Sequence, residues 1–220
     1  MERREIEAIV RAVMEQCENV GSAGTARKPA EPLTFPVEAS ASHVHLTAEA
    51  VEILFGRGTA LTPDRYLSQP GEYLSGQRLK LSTYKGELSH VAVLGPVRKN
   101  VQVELSLSDI RRLGITAPVN LSGDLSGAGD ILLIGPAGAL EAKRSVIAAR
   151  AHIHMTPEDA KRFGVKNGQE VKVRVEGERT IIFEKVVVRV GEHYGLAMHM
   201  DFDEANACCL GKNTRGVIVP

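Results

Sequence analysis

The chain has 220 residues, 27 basic against 27 acidic side chains and no tryptophan, enough length for one large domain or two small ones with real cores. Balanced charge and few aromatics exclude a global field for nucleic acid and the stacking platforms of single-strand binders, so any anion binding has to be local. No run of 18 apolar residues is present, the N-terminus has no apolar signal core, and Cys17, Cys208 and Cys209 make neither a disulfide framework nor a C-x-x-C clip, which fits a cytosolic, reducing location without a membrane span.

From the N-terminus, Ile6, Ile9, Val10, Val13, Met14 and Cys17 recur at three- and four-residue spacing, which predicts an amphipathic helix over 1–18. Residues 19–36 are small and rich in glycine and proline and read as a flexible linker. So short a helix is marginal alone in water and is expected to dock, on its own body, on a sister subunit, or in a groove of another protein. From residue 37 the pattern changes. Residues 79–81 and 90–93 flank a turn at Tyr84-Lys85-Gly86-Glu87. Val171, Val173 and Val175 alternate with charged residues, 180–190 answers across a second turn, and 217–219 follows the Gly216 break as a closing strand. Short strands with glycine-marked turns predict a mainly β body, 37–220, built as barrels.

One unit is written three times in that body. It begins at His43-Val44-His45-Leu46-Thr47, at Gln102-Val103-Glu104-Leu105-Ser106 and at His152-Ile153-His154-Met155-Thr156. Each copy is a strand-like triplet, an apolar residue, a hydroxyl residue and a short helical stretch. Thr47, Ser106 and Thr156 are the expected N-caps, with Asp109 and Asp159 three residues on and Pro157 at the first helical position. Gly56, Gly114 and Gly164 are expected as left-handed C-caps. Residues two apart on a strand share a face, roughly 6.6 Å apart, so both imidazoles of an H-x-H pair can meet one ion. Glu104 takes the position of His45 and His154. Two imidazole pairs and a carboxylate at one repeat position are the nitrogen and oxygen ligands that zinc uses. His199, in the strand-like stretch 196–200, is a natural additional ligand. His90 and His193 have no such partner and read as surface histidines.

At these residues the chain resembles the PduL-type phosphotransacylases (phosphate propanoyltransferases). The resemblance runs from about residue 37 to the C-terminus and rests on ASASHVH at 39–45, GPVRKNVQVE at 95–104, SGDLSG at 122–127, ARAHIHMTPEDA at 149–160 and HMDFDEAN at 199–206. It implies two interleaved β-barrel domains capped by short helices and a site for two zinc ions between them. His43, His45 and Glu104 would hold one ion, and His152, His154 and His199 the other. Arg98 would bind phosphate with Ser122 nearby, while Ser40 and Asn206 would contact coenzyme A. The implied reaction converts short-chain acyl-CoA (propanoyl or acetyl) and phosphate to acyl phosphate and coenzyme A, reversibly. The resemblance also makes the 1–18 helix a tag that docks on shell or core proteins inside a bacterial microcompartment; the body is expected to be a homo-oligomer and, from its composition, to bind neither nucleic acid nor membrane.

Arg98 suits the phosphate role because a guanidinium fork meets phosphate oxygens two at a time and stays charged. Direct attack by phosphate is expected, since no cysteine or serine stands beside a general base, and Cys208-Cys209 reads as packing. The stretch 122–129 either cradles phosphate with exposed amides or is a plain turn; it lacks the G-K-[ST] ending of a P-loop. Two other classes use the same residues: a zinc hydrolase of thioesters, and a non-enzymatic zinc-stabilised adaptor with closed coordination.

Overall fold

The computed structural model describes residues 33–220; the helix expected over 1–18, most of the expected linker and Cys17 lie outside the described residues. Six strands close the first barrel: β2 (His43–His45), β4 (Tyr73–Ser82), β5 (Glu87–Gly95), β6 (Gln102–Glu104), β8 (Gly129–Ile134) and β9 (Ala139–Ala149). The ring runs β4-β5-β2-β6-β9-β8 and returns to β4. Two short strands flank it, β3 (Pro63–Tyr66) on β4 and β7 (Val119–Asn120) on β9. The second closed barrel has the order β1 (Thr34–Ser40), β13 (Ala197–Asp201), β10 (His152–Met155), β12 (Ile181–Val190), β11 (Glu170–Val175), β14 (Arg215–Val219). The barrels are interleaved in the chain, because β1 precedes the whole first barrel yet belongs to the second. It also starts at Thr34, three residues before the expected start of the body at 37.

Each barrel has its own apolar interior. Val44, Val93, Val103 and Leu133 are fully buried in the first, and Phe35, Ile153, Val173, Val188 and Met198 in the second. The odd–even pattern of the strands explains this: the residue between the two histidines of each H-x-H triplet points inward, and the histidines point out.

Each of the three triplets is followed by a short helix, α1 (Ala48–Phe55), α2 (Leu107–Leu113) and α3 (Pro157–Phe163), and β13 by a fourth, α4 (Phe202–Ala207). The predicted caps are present. Thr47 accepts from Ala50 N, Ser106 from Asp109 N and Thr156 from Asp159 N. Thr156 and Asp159 form a full capping box, whereas the Asp109 carboxylate accepts instead from Ser42 Oγ at 2.6 Å and ties the β1–β2 turn to α2. Gly114 and Gly164 end their helices left-handed, at φ 67° and 68°. Gly56 differs from expectation: its φ of 103° and ψ of 151° are not a left-handed helical cap. Here the helix is a residue longer, Gly56 N still bonds back to Glu52 O, and the chain leaves directly into an extended conformation.

Ile153 is fully buried between two outward histidines. Ile153→Ala is expected to destabilise the chain by about 2–5 kcal/mol, read as a lower urea midpoint, while His152 and His154 keep their places on the outer wall.

Candidate active site

The ligand-type residues are set by strand register. Antiparallel β2 and β6 place His43 opposite Glu104 and His45 opposite Gln102. Antiparallel β10 and β13 place His152 opposite His199 and His154 opposite Ala197. The two pairings are the same pairing in two barrels. The outer walls that carry them face one cavity of about 680 Å³, whose lining includes all six predicted ligands together with Arg98, Ser122 and Ser40.

In the first set His43 Nε2 stands 3.6 Å from Glu104 Oε2 and His45 Nε2 stands 4.0 Å from Oε1. Among the described residues, this is the group of three whose ligand atoms all lie within 4.8 Å of one another. In the second set the ring centroids of His152, His154 and His199 are 4.7 to 5.4 Å apart. Both leading histidines turn Nδ1 to a carbonyl two residues back: His43 to Ala41 O at 2.7 Å and His152 to Arg150 O at 2.9 Å. A carbonyl only accepts, so Nδ1 carries the proton and Nε2 offers its lone pair, the usual outer support of a metal-bound imidazole. Tyr194 stacks on His154 with centroids 4.2 Å apart.

Electrostatics keep His45, His152, His154, His199 and Glu104 in ligand form at neutral pH. Burial pushes His152 and His199 down to about 4, His154 to about 2 and His45 well below the ordinary range. Burial alone would raise Glu104, but His43 and His45 and a Ser122 hydrogen bond outweigh it and hold the carboxyl at about 2. Neutral imidazoles and an ionised carboxylate lining one cavity fit a divalent cation with a preference for nitrogen and oxygen.

Gln102 is not a metal-ligand type in the sequence, yet it holds this site together. It is buried, donates from Nε2 to Glu104 Oε1 at 2.6 Å and to Ser122 Oγ at 2.9 Å, and accepts from Gly123 N at 2.9 Å. Its place in the repeat, where the other copies carry His43 and His152, is the signal that was available. A second missed signal is a fourth copy of the unit. Ala197-Met198-His199-Met200-Asp201 matches the other three, with Asp201 as N-cap and Glu204 completing a capping box. His199 is therefore the counterpart of His45, Glu104 and His154.

Arg98 lies at the cavity with its side chain about one-third exposed; Nη2 donates to Glu72 Oε1 at 2.7 Å and its backbone N to Leu46 O. Ser40 Oγ is 3.4 Å from His43 Nδ1. Asn206 is exposed on α4 and is not part of the cavity lining. Cys208 is buried in the second core with its thiol pushed up by burial, Cys209 is exposed, and neither lines the cavity. His90 and His193 are exposed. In the 122–129 loop the amides of Gly123, Asp124, Ser126 and Ala128 bond within the protein, to Gln102, Leu121, Asp124 and Leu125. Those four amides are therefore already paired and not free to cradle an anion.

The buried histidines make metal-free stability depend on pH. The unfolded chain binds protons near pH 6.5 and the folded groups near 4 and below, so stability falls as pH drops through that window, by an amount on the order of a few kcal/mol. Urea unfolding of chelator-treated protein at pH 7, 6 and 5 checks this; a constant midpoint contradicts it.

A family profile for phosphate propanoyltransferases matches residues 36–211. Curated proteins with that name are similar over most of the chain. The one from Leptotrichia buccalis is 45% identical over 94% of both chains. The one from Sebaldella termitidis is 43% identical over 99% of both. The one from Thermotoga maritima is 49% identical over 79% of this chain and 83% of its own.

Proposed function

The chain belongs to the phosphate propanoyltransferase family of acyltransferases, and from that membership we propose that it moves a short acyl group, propanoyl or acetyl, reversibly between coenzyme A and inorganic phosphate at a site for two zinc ions. The observation that carries this reading is the pair of register-equivalent ligand sets on facing barrel walls around one cavity. His43, His45 and Glu104 would hold one ion and His152, His154 and His199 the other. When bound, zinc supplies Lewis-acid stabilisation of a carbonyl oxygen and of a thiolate.

The chain's own residues do the rest. Arg98 sits at the cavity in a pair with Glu72 that is about one-third exposed, a contact that a phosphate dianion can replace with two hydrogen bonds to the same guanidinium. Ser122, fixed by Gln102, stands beside Glu104 as a further hydrogen-bond donor. Ala92 and Leu94 pair with His43 and His45 and line the cavity next to them; they offer a small apolar seat for a short acyl chain. Ser40, beside His43, is our candidate coenzyme A contact, and Asn206 would serve coenzyme A only outside the cavity. A phosphate oxygen attacks the thioester carbonyl carbon, the carbon–sulfur bond breaks, and the proton of hydrogen phosphate leaves with the thiol. The burial of Cys208 and the absence of both cysteines from the cavity lining favour this direct transfer over an acyl-enzyme.

The same reading makes residues 1–18 a docking tag on a 19–36 linker, carried by an oligomeric enzyme in the lumen of a bacterial microcompartment, with shell or core proteins as partners. The apolar spacing of Ile6 to Cys17 supports it. Deletion of residues 1–18 is expected to leave turnover intact and abolish co-purification with shell proteins; retention of both contradicts the tag.

Purified protein given propanoyl-CoA or acetyl-CoA is expected to release thiol only when phosphate is present, with acyl phosphate as the product by phosphorus NMR. Thiol release without phosphate would identify a hydrolase instead. Arg98→Ala is expected to raise the KM for phosphate at least tenfold and that for acyl-CoA little. His154→Ala is expected to take zinc content from two ions to one, and full retention of zinc and activity contradicts the ligand assignment.

A further inference from the structure

Gln69 belongs to the β3–β4 loop of the first barrel, yet the hydrogen bonds of its side chain, among the described residues, all reach the second. It is buried, 6% exposed. Its Nε2 donates to Gly195 O at 3.0 Å, and its Oε1 accepts from Gly195 N at 3.2 Å. This pair of hydrogen bonds to one backbone residue fixes which end of the amide is which, since the flipped amide would set oxygen against oxygen and N–H against N–H. The glycine permits the approach: a Cβ at 195 would stand 2.9 Å from Ser68 O.

The orientation has a consequence for His199. The remaining N–H of the Gln69 amide faces His199 Nε2 at 3.2 Å. An amide N–H can only donate, so Nε2 accepts and the imidazole proton sits on Nδ1. That nitrogen faces the Glu38 carboxylate at 3.8 Å, and Glu38 is in turn held by Ser68 Oγ at 2.6 Å. Two residues of one loop, Ser68 and Gln69, thus set His199 from both sides.

The first ligand set has an amide too, and the contrast is chemical. Gln102 bonds to Glu104 Oε1, but a carboxylate has several lone pairs, and Oε2 remains directed at His43. An imidazole nitrogen has one lone pair, and Gln69 occupies it. We infer that Gln69 is a latch on the second ligand set: it holds His199 in the ligand tautomer and has to release Nε2 before a cation can bind there. The two sites therefore fill in order, His43–His45–Glu104 first and His152–His154–His199 second. Gln69 is a positioning residue in this scheme, and the inference rests on the two-cation reading proposed above.

The test is a zinc titration of the metal-free full-length chain against a chromophoric chelator. Wild type is expected to bind two ions in separate steps. Gln69→Met keeps the length of the side chain and removes the amide; it is expected to tighten the second step about three- to tenfold, the scale of one lost competing hydrogen bond, and to leave the first unchanged. An equal change in both steps, or a weaker second step, overturns the latch. Wild type taking up fewer than two ions overturns the two-cation reading itself and the latch with it. Should the variant misfold, the imidazole nitrogen–proton NMR spectrum of the metal-free wild type decides: the latch requires the Nδ1–H tautomer of His199, and an Nε2–H tautomer overturns it while leaving the two-cation reading standing.

Discussion

The site depends on strand register. In β2 and β6 the central valines, Val44 and Val103, are directly paired and fully buried, and in β10 and β13 so are Ile153 and Met198. Because side chains alternate along a strand, burying those four residues obliges the flanking positions to point out of each barrel. A slip by one residue would turn the imidazoles into the apolar interior and the apolar residues into the cavity. The hydrophobic cores of the two barrels therefore act as the template for the polar chemistry on their outsides.

That arrangement keeps strongly interacting polar groups together at low exposure. His43, His45, Gln102, Glu104 and His152 are all buried. Such groups are costly unless each has a partner. Backbone carbonyls two residues back satisfy His43 and His152, while Gln102 satisfies Glu104, Ser122 and Gly123 at once. The Nδ1 atoms of His45 and His154 have no partner among the described residues. The carboxylate in one set and the imidazole in the other make the two sets chemically unequal although their backbones correspond.

Much of this was legible in sequence where the determinants are local. A hydroxyl residue before a short helix, a glycine after it and alternating valines announce caps and strands without reference to the rest of the chain. The three copies of the unit exposed the ligand types for the same reason. What could not be read depends on distant partners. Barrel closure needs β8 to pair with both β4 and β9, a choice no local pattern encodes. Gly56 departs from its counterparts because its helix is one residue longer. Gln69 is an ordinary polar residue before a proline until Gly195 is folded against it. The fourth copy is masked in the sequence because Ala197 and Asp201 replace the histidine and the hydroxyl residue of the consensus, even though Asp201 caps α4 just as well.

The interleaving of β1 has a consequence for synthesis. Thr34 pairs with Val217 and Val37 with Met198, so the first strand among the described residues waits for nearly the last of them. Until then its edges are unpaired and Phe35 has no interior to enter, while the first barrel, whose strands are contiguous from β2 to β9, can close behind it. Completion of β13 and β14 thus serves as a checkpoint: a nascent or truncated chain that lacks them offers only one of the two facing walls, and the two ligand arrangements cannot confront each other until those strands are made.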